Sequence, residues 1–101
     1  MDNQIEKSGN TVVATLVEHL DAVSAAILDG ELRVAVDDEE VTNLVLDLKN
    51  TKYTSSAGLR VFVAMQQLMT KRGGRLVLRN VCEEVMGIFR ITCFDELFEI
   101  E

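Results

Sequence analysis

The spacing of apolar and polar positions changes several times along this chain. A short segment, Ile5 to Ser8, runs into the turn pair Gly9-Asn10, and Thr11 to Val17 then reads Thr-Val-Val-Ala-Thr-Leu-Val. Short runs rich in β-branched side chains pack well on a pleated surface and favour strands. The two segments predict a hairpin across Gly9-Asn10. From Ala22 to about Asp38 the period lengthens, with Val23, Ala26, Ile27, Leu28, Leu32, Ala35 and Val36 at helical spacing and Asp21 in place as N-cap. Gly30 falls inside this helix at a cost of about 1 kcal/mol relative to Ala. Either the helix is locally weakened there or something packs closely against it. The acidic run Asp37-Asp38-Glu39-Glu40 opposes the dipole of a helix C-terminus and predicts a solvated connector that stops the helix.

Val41 to Leu48 is almost continuously apolar, as expected for a central strand covered on both faces. A polar connector leads to Ser55-Ser56-Ala57-Gly58, and Leu59 to Arg72 predicts a second helix, apolar on almost every side in its first half. Met65 and Met69 on that helix are read as core. Gly73-Gly74 ends the helix. Arg75 to Arg79 is a short buried strand, and Asn80 is placed as the cap of a third helix, Val81 to about Ile91, with Val85, Ile88 and Phe89 facing the core. Asp95 to Glu99 forms a turn carrying Leu97 and Phe98, followed by Ile100. The order β-β-α-β-α-β-α-(β) implies parallel strands joined by right-handed crossovers, with an antiparallel edge. The expected fold is α/β (α+β): a mixed four- to five-stranded sheet with helices packed on it and an opening β-hairpin, in one domain over residues 1–101.

Composition narrows the function. Of 101 residues, 48% are hydrophobic and 27% charged, enough for a real core and against disorder. A net charge of −7 argues against nucleic acid, since binding a phosphate backbone needs clustered Lys and Arg. It fits solubility and steering toward a basic protein surface. The first residues lack the pattern of a signal peptide and no apolar run has the length of a membrane span, so no membrane association is expected. Cys82 and Cys93 flank the third helix, too far apart for a disulfide, and without a nearby His they do not form a metal site. Free, mostly buried thiols in the cytoplasm are expected.

Enzyme chemistry finds little support. The only His is His19, read as a surface residue, and no Gly-x-Ser-x-Gly elbow or Walker-type loop occurs. Asp47 lacks the acidic neighbours that a phosphoacceptor aspartate needs to hold Mg²⁺, and is read as a hydrogen-bonding residue near a strand end. No catalytic residue, metal or cofactor is expected. What remains is Ser55–Gly58, at the opening of a buried helix. Free N–H groups there favour negative charge. Ser55 or Ser56 caps the helix, and a Ser in this place is also open to a phosphorylation switch, in which about −1.5 to −2 added charges repel a docked partner.

Taken together, the residues resemble the STAS domain family, the bacterial anti-sigma factor antagonists. The resemblance is carried by Asp47-Leu48 followed by Tyr53-Thr54-Ser55-Ser56-Ala57-Gly58-Leu59-Arg60, by Lys71-Arg72-Gly73-Gly74-Arg75-Leu76-Val77-Leu78 with Asn80-Val81, by Ile91 to Ile100, and by Leu20-Asp21-Ala22. It implies a binding protein whose unphosphorylated form engages an anti-sigma factor, a serine-kinase-like ATPase, and so frees a sigma factor. It further implies that the kinase phosphorylates one Ser at the start of the second helix, which falls on Ser56, that a phosphatase resets the switch, and that the chain is a monomer or weak dimer. Asp21 matches a position of the family's partner surface, completed here by Thr54, Ser55, Ser56, Ala57, Gly58 and Arg60. This chain has Ser55 where the family commonly has Asp and Ala57 where it often has Ser; Val17 and Cys93 stand where Gly is usual. A second implied role is a STAS subunit that docks on the ATPase of a lipid-transport ABC complex without a phosphorylation switch.

Overall fold

In the computed structural model, which describes residues 2–101, the hairpin forms as the pattern predicts. Strands β1 (Gln4–Ser8) and β2 (Thr11–Thr15) pair antiparallel, and Gly9 takes the positive φ of +62° that the turn requires. Strands β4 (Asn43–Asp47), β6 (Arg75–Arg79) and β7 (Glu99–Ile100) extend the sheet in parallel, giving the order β1-β2-β4-β6-β7. Register fixes what each face carries. Val12, Leu44 and Leu76 align, as do Ala14, Leu46 and Leu78, and all six are buried under the helices.

The opposite face is a correction to the sequence reading. It presents Val13, Val45 and Val77 between polar neighbours, and Val13 and Val45 are only half-buried. Ion pairs Arg75–Glu99 and Arg79–Asp47 lie on this side. The central strand is therefore covered on one face and partly open on the other. Its apolar run misled because Val45, at the sheet centre, is shielded by its strand neighbours.

Three helices supply the cover: α1 (Ala22–Ala35), α2 (Ser56–Lys71) and α3 (Glu83–Ile91). Helix α1 stops three residues earlier than the pattern implied, at a C-cap on Val36, ahead of the acidic connector. Its buried side is Ala25, Leu28 and Leu32, whereas Val23 and Ile27 point outward. Helix α2 buries Leu59, Val61, Phe62, Met65 and Met69, so both methionines are core. It ends where Gly73 takes φ +72° and the Gly74 N–H donates to the Met69 carbonyl at 2.8 Å. Phe98, after a 3₁₀ turn at Phe94–Glu96, stacks edge-on against Phe62 with ring centres 6.2 Å apart and lies 6.0 Å from Phe89, closing the core at the C-terminal end.

Asn80 does not cap α3. It sits at φ +58°, a left-handed conformation that Asn tolerates, and donates from Nδ2 to Asp47 Oδ1 at 3.1 Å. Cys82 is the N-cap residue of α3 but makes no side-chain cap bond; its thiol instead donates to the Thr51 carbonyl. Both cysteines are free. Cys82 is half-buried, while Cys93 is exposed in a left-handed turn, so only one fits the expectation of buried thiols.

Candidate docking and modification site

Two loops enter helices side by side, and a short ladder absent from the sequence pattern holds them there. Strands β3 (His19–Leu20) and β5 (Tyr53–Thr54) pair in parallel as a separate two-stranded sheet. The Ser55 N–H donates to the Leu20 carbonyl at 2.8 Å and the Lys52 N–H to the Glu18 carbonyl at 2.8 Å. Buried Thr51 adds a cross-tie, its hydroxyl donating to the Val17 carbonyl at 2.8 Å. The N-termini of α1 and α2 are thereby fixed next to each other.

Asp21 caps α1 in a reciprocal box: the Ser24 N–H donates to Asp21 Oδ1 at 2.9 Å, and the Asp21 N–H donates to Ser24 Oγ at 2.9 Å. The Ser24 N–H, followed by its hydroxyl, holds the Asp21 carboxyl below its ordinary range, so this exposed group is anionic at neutral pH. On α2 the cap is Ser55, whose Oγ accepts from the Gly58 N–H at 3.4 Å. Ser56, one residue on, is exposed and outside the cap. The N–H groups of Ser56 and Ala57 have no acceptor one turn back, as at any helix start.

The site residues then divide by depth. Thr54 is 2% exposed and Gly58 is buried, so both shape the site from beneath. A Cβ on Gly58 would overlap Thr54 Oγ1 and lie 3.2 Å from Leu20 Cβ; only glycine lets α2 approach the β3–β5 ladder this closely. Asp21, Ser56 and Arg60 are exposed, with Ser55 and Ala57 half-buried among them. Ala57 and Arg60 line a shallow groove with Ala22, Ala26 and Asp29, so the surface is continuous from α1 to α2. Arg60 follows Ser56 by four residues and shares its helix face.

His19 and Tyr53 form the outer rim that sequence reasoning missed. Paired in register across the small ladder, their rings lie 6.3 Å apart and both side chains are exposed. Asp47 lies one layer below, 4% exposed, accepting from the Lys49 N–H at 3.0 Å, Asn80 Nδ2 at 3.1 Å and Arg79 Nε at 3.3 Å. Burial alone would raise its pKa, but the donors, Asn80 foremost, hold it below the ordinary carboxylate value. It is a structural carboxylate, as the sequence implied.

The mixed sheet with helices on one face, and the Ser-x-Gly helix start beside the Asp21-capped one, are the arrangement that the resemblance to STAS domains implies. Residues 3–101 match the STAS domain family, and the chain belongs to it. The chain is 29% identical over 96 residues to the anti-sigma-B factor antagonist of Bacillus subtilis (strain 168), covering 95% of this chain and 86% of that protein. It is 32% identical over 96 residues to the putative anti-sigma factor antagonist BtrV of Bordetella bronchiseptica, covering 95% of this chain and 82% of that one. Among solved structures, the anti-sigma factor antagonist SpoIIAA in its unphosphorylated form superposes with a TM-score of 0.78 at 18% identity, covering 98% of this chain and 86% of that one. The phosphorylated form of the Bacillus protein gives 0.77 at 18% identity, covering 98% and 90%. At that identity the likeness is one of fold.

Proposed function

We propose that this protein is an anti-sigma factor antagonist switched at Ser56. In the unphosphorylated state the surface of Asp21, Ser55, Ser56, Ala57 and Arg60, supported by Thr54 and Gly58, docks on an anti-sigma factor that is itself a serine-kinase-like ATPase, and a sigma factor is released. The observation that carries this reading is the division of labour among three adjacent hydroxyls. Thr54 is buried, Ser55 is committed to capping, and Ser56 alone is exposed and unused by the cap. The names of the curated relatives supply the partner class.

In the switching step Ser56 Oγ attacks the γ-phosphorus of ATP held by the partner. The new Oγ–P bond forms as the bond to the bridging oxygen breaks, ADP leaves, and the hydroxyl proton passes to a base or water on the partner's side. This chain supplies an acceptor and no catalytic group. The product phosphate sits at the free N–H groups of the α2 start with Arg60 one turn along, an arrangement that tolerates it locally. At the interface the same charge, beside anionic Asp21 on a chain of net charge −7, meets groups shaped for a neutral hydroxyl. A phosphatase that hydrolyses the ester restores docking. Among the described residues no helix is long and apolar enough to cross a membrane.

The test is calorimetric titration of the cognate anti-sigma factor. Ser56→Ala is expected to bind as the wild type does, and Ser56→Asp to bind at least about 100-fold more weakly, because like-charge juxtaposition at an interface costs several kcal/mol. Equal affinity for Ser56→Asp and wild type overturns the switch. Recovery of the ATPase of a lipid-transport ABC complex as the bound partner transfers the chain to the other STAS role.

A further inference from the structure

Arg60 stands apart from the other arginines of the chain. Arg33 pairs with Asp29 at 3.0 Å, Arg79 with Asp47 at 3.3 Å, Arg90 with Glu83 at 3.3 Å, and Arg75 with Glu99. Arg72 donates to the carbonyls of Asp38 and Val41. Arg60 is exposed and forms no ion pair or hydrogen bond among the described residues. It lines one groove with Asp29, but Arg33 already occupies that carboxylate. The place is also unfavourable for a lone cation. Helix α2 starts at Ser56 and has no acidic residue in its first turn, so a guanidinium near this positive helix end opposes the dipole without compensation.

Its position relative to Ser56 says where the missing anion comes from. Residues four apart in a helix share a face, with Cβ atoms about 5–6 Å apart. Long helical side chains lean back toward the N-terminus, over the preceding turn. Arg60 borders the groove together with Ala57, three residues earlier, as that direction requires. Acid first and base four residues later is the favourable order for such a pair. A phosphate on Ser56 brings about −1.5 to −2 charges and three acceptor oxygens into this space. A planar guanidinium can meet two of those oxygens with parallel N–H donors.

We propose, resting on the reading of Ser56 as the phosphorylated residue, that Arg60 exchanges partners with the state of that residue. While Ser56 is a free hydroxyl, Arg60 faces a carboxylate of the anti-sigma factor; once Ser56 is modified, its phosphate captures the guanidinium. The modification then acts twice. It adds negative charge beside Asp21, and it withdraws from the partner the one basic group among the docking residues. The carboxylates of α1 do not compete for Arg60, since the Ser24 N–H donates to Asp21 and Arg33 pairs with Asp29.

Phosphoserine installed at position 56 during translation, by suppression of an amber codon, tests this without relying on a kinase. Phosphorus NMR follows the second ionisation of the phosphate, which lies near pH ~6 when no cation is close. At low ionic strength it should fall about 0.5 unit lower in the wild type than in Arg60→Gln, with Arg60→Lys between them. The helix start and Asp21 are common to all three proteins and cancel in the difference. In titrations against the cognate anti-sigma factor, Arg60→Gln should weaken docking of the unmodified protein about 10-fold, while the phosphorylated wild type and phosphorylated Arg60→Gln dock equally weakly. Equal ionisation in the wild type and Arg60→Gln overturns the ion pair. Arg60→Gln that weakens docking by the same factor in both states, or in neither, overturns the exchange. Neither result touches the choice of Ser56. A kinase that leaves Ser56 unmodified refutes that choice, and the ionisation of the installed phosphoserine still decides the ion pair.

Discussion

Replacing Gly58 with Ala probes how the site is held in place. The new methyl group lies at the third position of α2, facing the β3–β5 ladder. Two effects oppose each other. Helix propensity favours Ala by up to about 1 kcal/mol, less near a helix end. Against this stands an overlap with Thr54 Oγ1, a hydroxyl on a β-branched side chain that is 2% exposed and donates to the Ser55 carbonyl at 3.2 Å. Thr54 cannot swing aside without leaving its rotamer and this bond, and Leu20 Cβ at 3.2 Å blocks a sideways shift of the helix. Overpacking of this kind costs about 1–3 kcal/mol, so the net expectation is a loss of about 1–2 kcal/mol. For a domain of this size that lowers the thermal midpoint by roughly 5–10 °C. Urea unfolding followed by circular dichroism measures it. Thr54→Ala removes the obstructing atom, so the Gly58→Ala/Thr54→Ala double variant should lose less stability than the two single changes added together. Docking on the anti-sigma factor should weaken in Gly58→Ala and recover in the double variant. Gly58→Ala protein that matches or exceeds wild-type stability refutes the claim that close approach of α2 to the ladder fixes the site.

Other expectations follow from the same geometry. Asp21→Asn keeps an N-cap acceptor but removes the charge, so its thermal midpoint should stay near wild type while partner affinity falls; Asp21→Ala should lose both. If Asp21→Asn binds with unchanged affinity, the partner does not read that charge. Asp47 has its pKa depressed in the fold, so its stabilising effect is complete above the unfolded value near 3.8 and is lost as pH falls through the lower, folded value. Asp47→Asn should therefore flatten the acid limb of a plot of urea midpoint against pH. At neutral pH it should cost about 1–3 kcal/mol, because the Asn amide confronts the donors Lys49 N–H and Asn80 with only one oxygen to accept them.

Much of this was legible in the chain itself. The Gly9-Asn10 hairpin, the Asp21 cap and the Gly73-Gly74 stop rest on local chemistry, which a sequence displays directly. So does the Ser55–Gly58 junction, where an apolar run meets Ser and Gly and then a second apolar run. The misses share a different cause. Helix α1 carries apolar residues on two opposite faces, and periodicity cannot say which of them meets the sheet; only packing selects Ala25, Leu28 and Leu32 over Val23 and Ile27. The β3–β5 ladder is two residues long on each side, below any repeat a pattern can show, yet it aligns the two helix starts. Asn80 has the right chemistry for a cap, but the long-range demand of Asp47 for a donor takes it elsewhere. Within the site, the residue pattern left Ser55 and Ser56 both open as the cap, and only the family resemblance put the phosphate on Ser56; the fold adds that Ser55 is the cap and that Thr54 is buried.

Phosphosite mapping tests the central claim most directly. The purified protein would be incubated with its cognate anti-sigma factor kinase and ATP, analysed by tandem mass spectrometry, and the modified fraction returned to the kinase in a binding titration. The expected result is one phosphate, on Ser56, in protein that no longer binds. A phosphate on Thr54 or Ser55, no phosphate between Thr54 and Ser56, or a Ser56-phosphorylated protein that binds unchanged would contradict it.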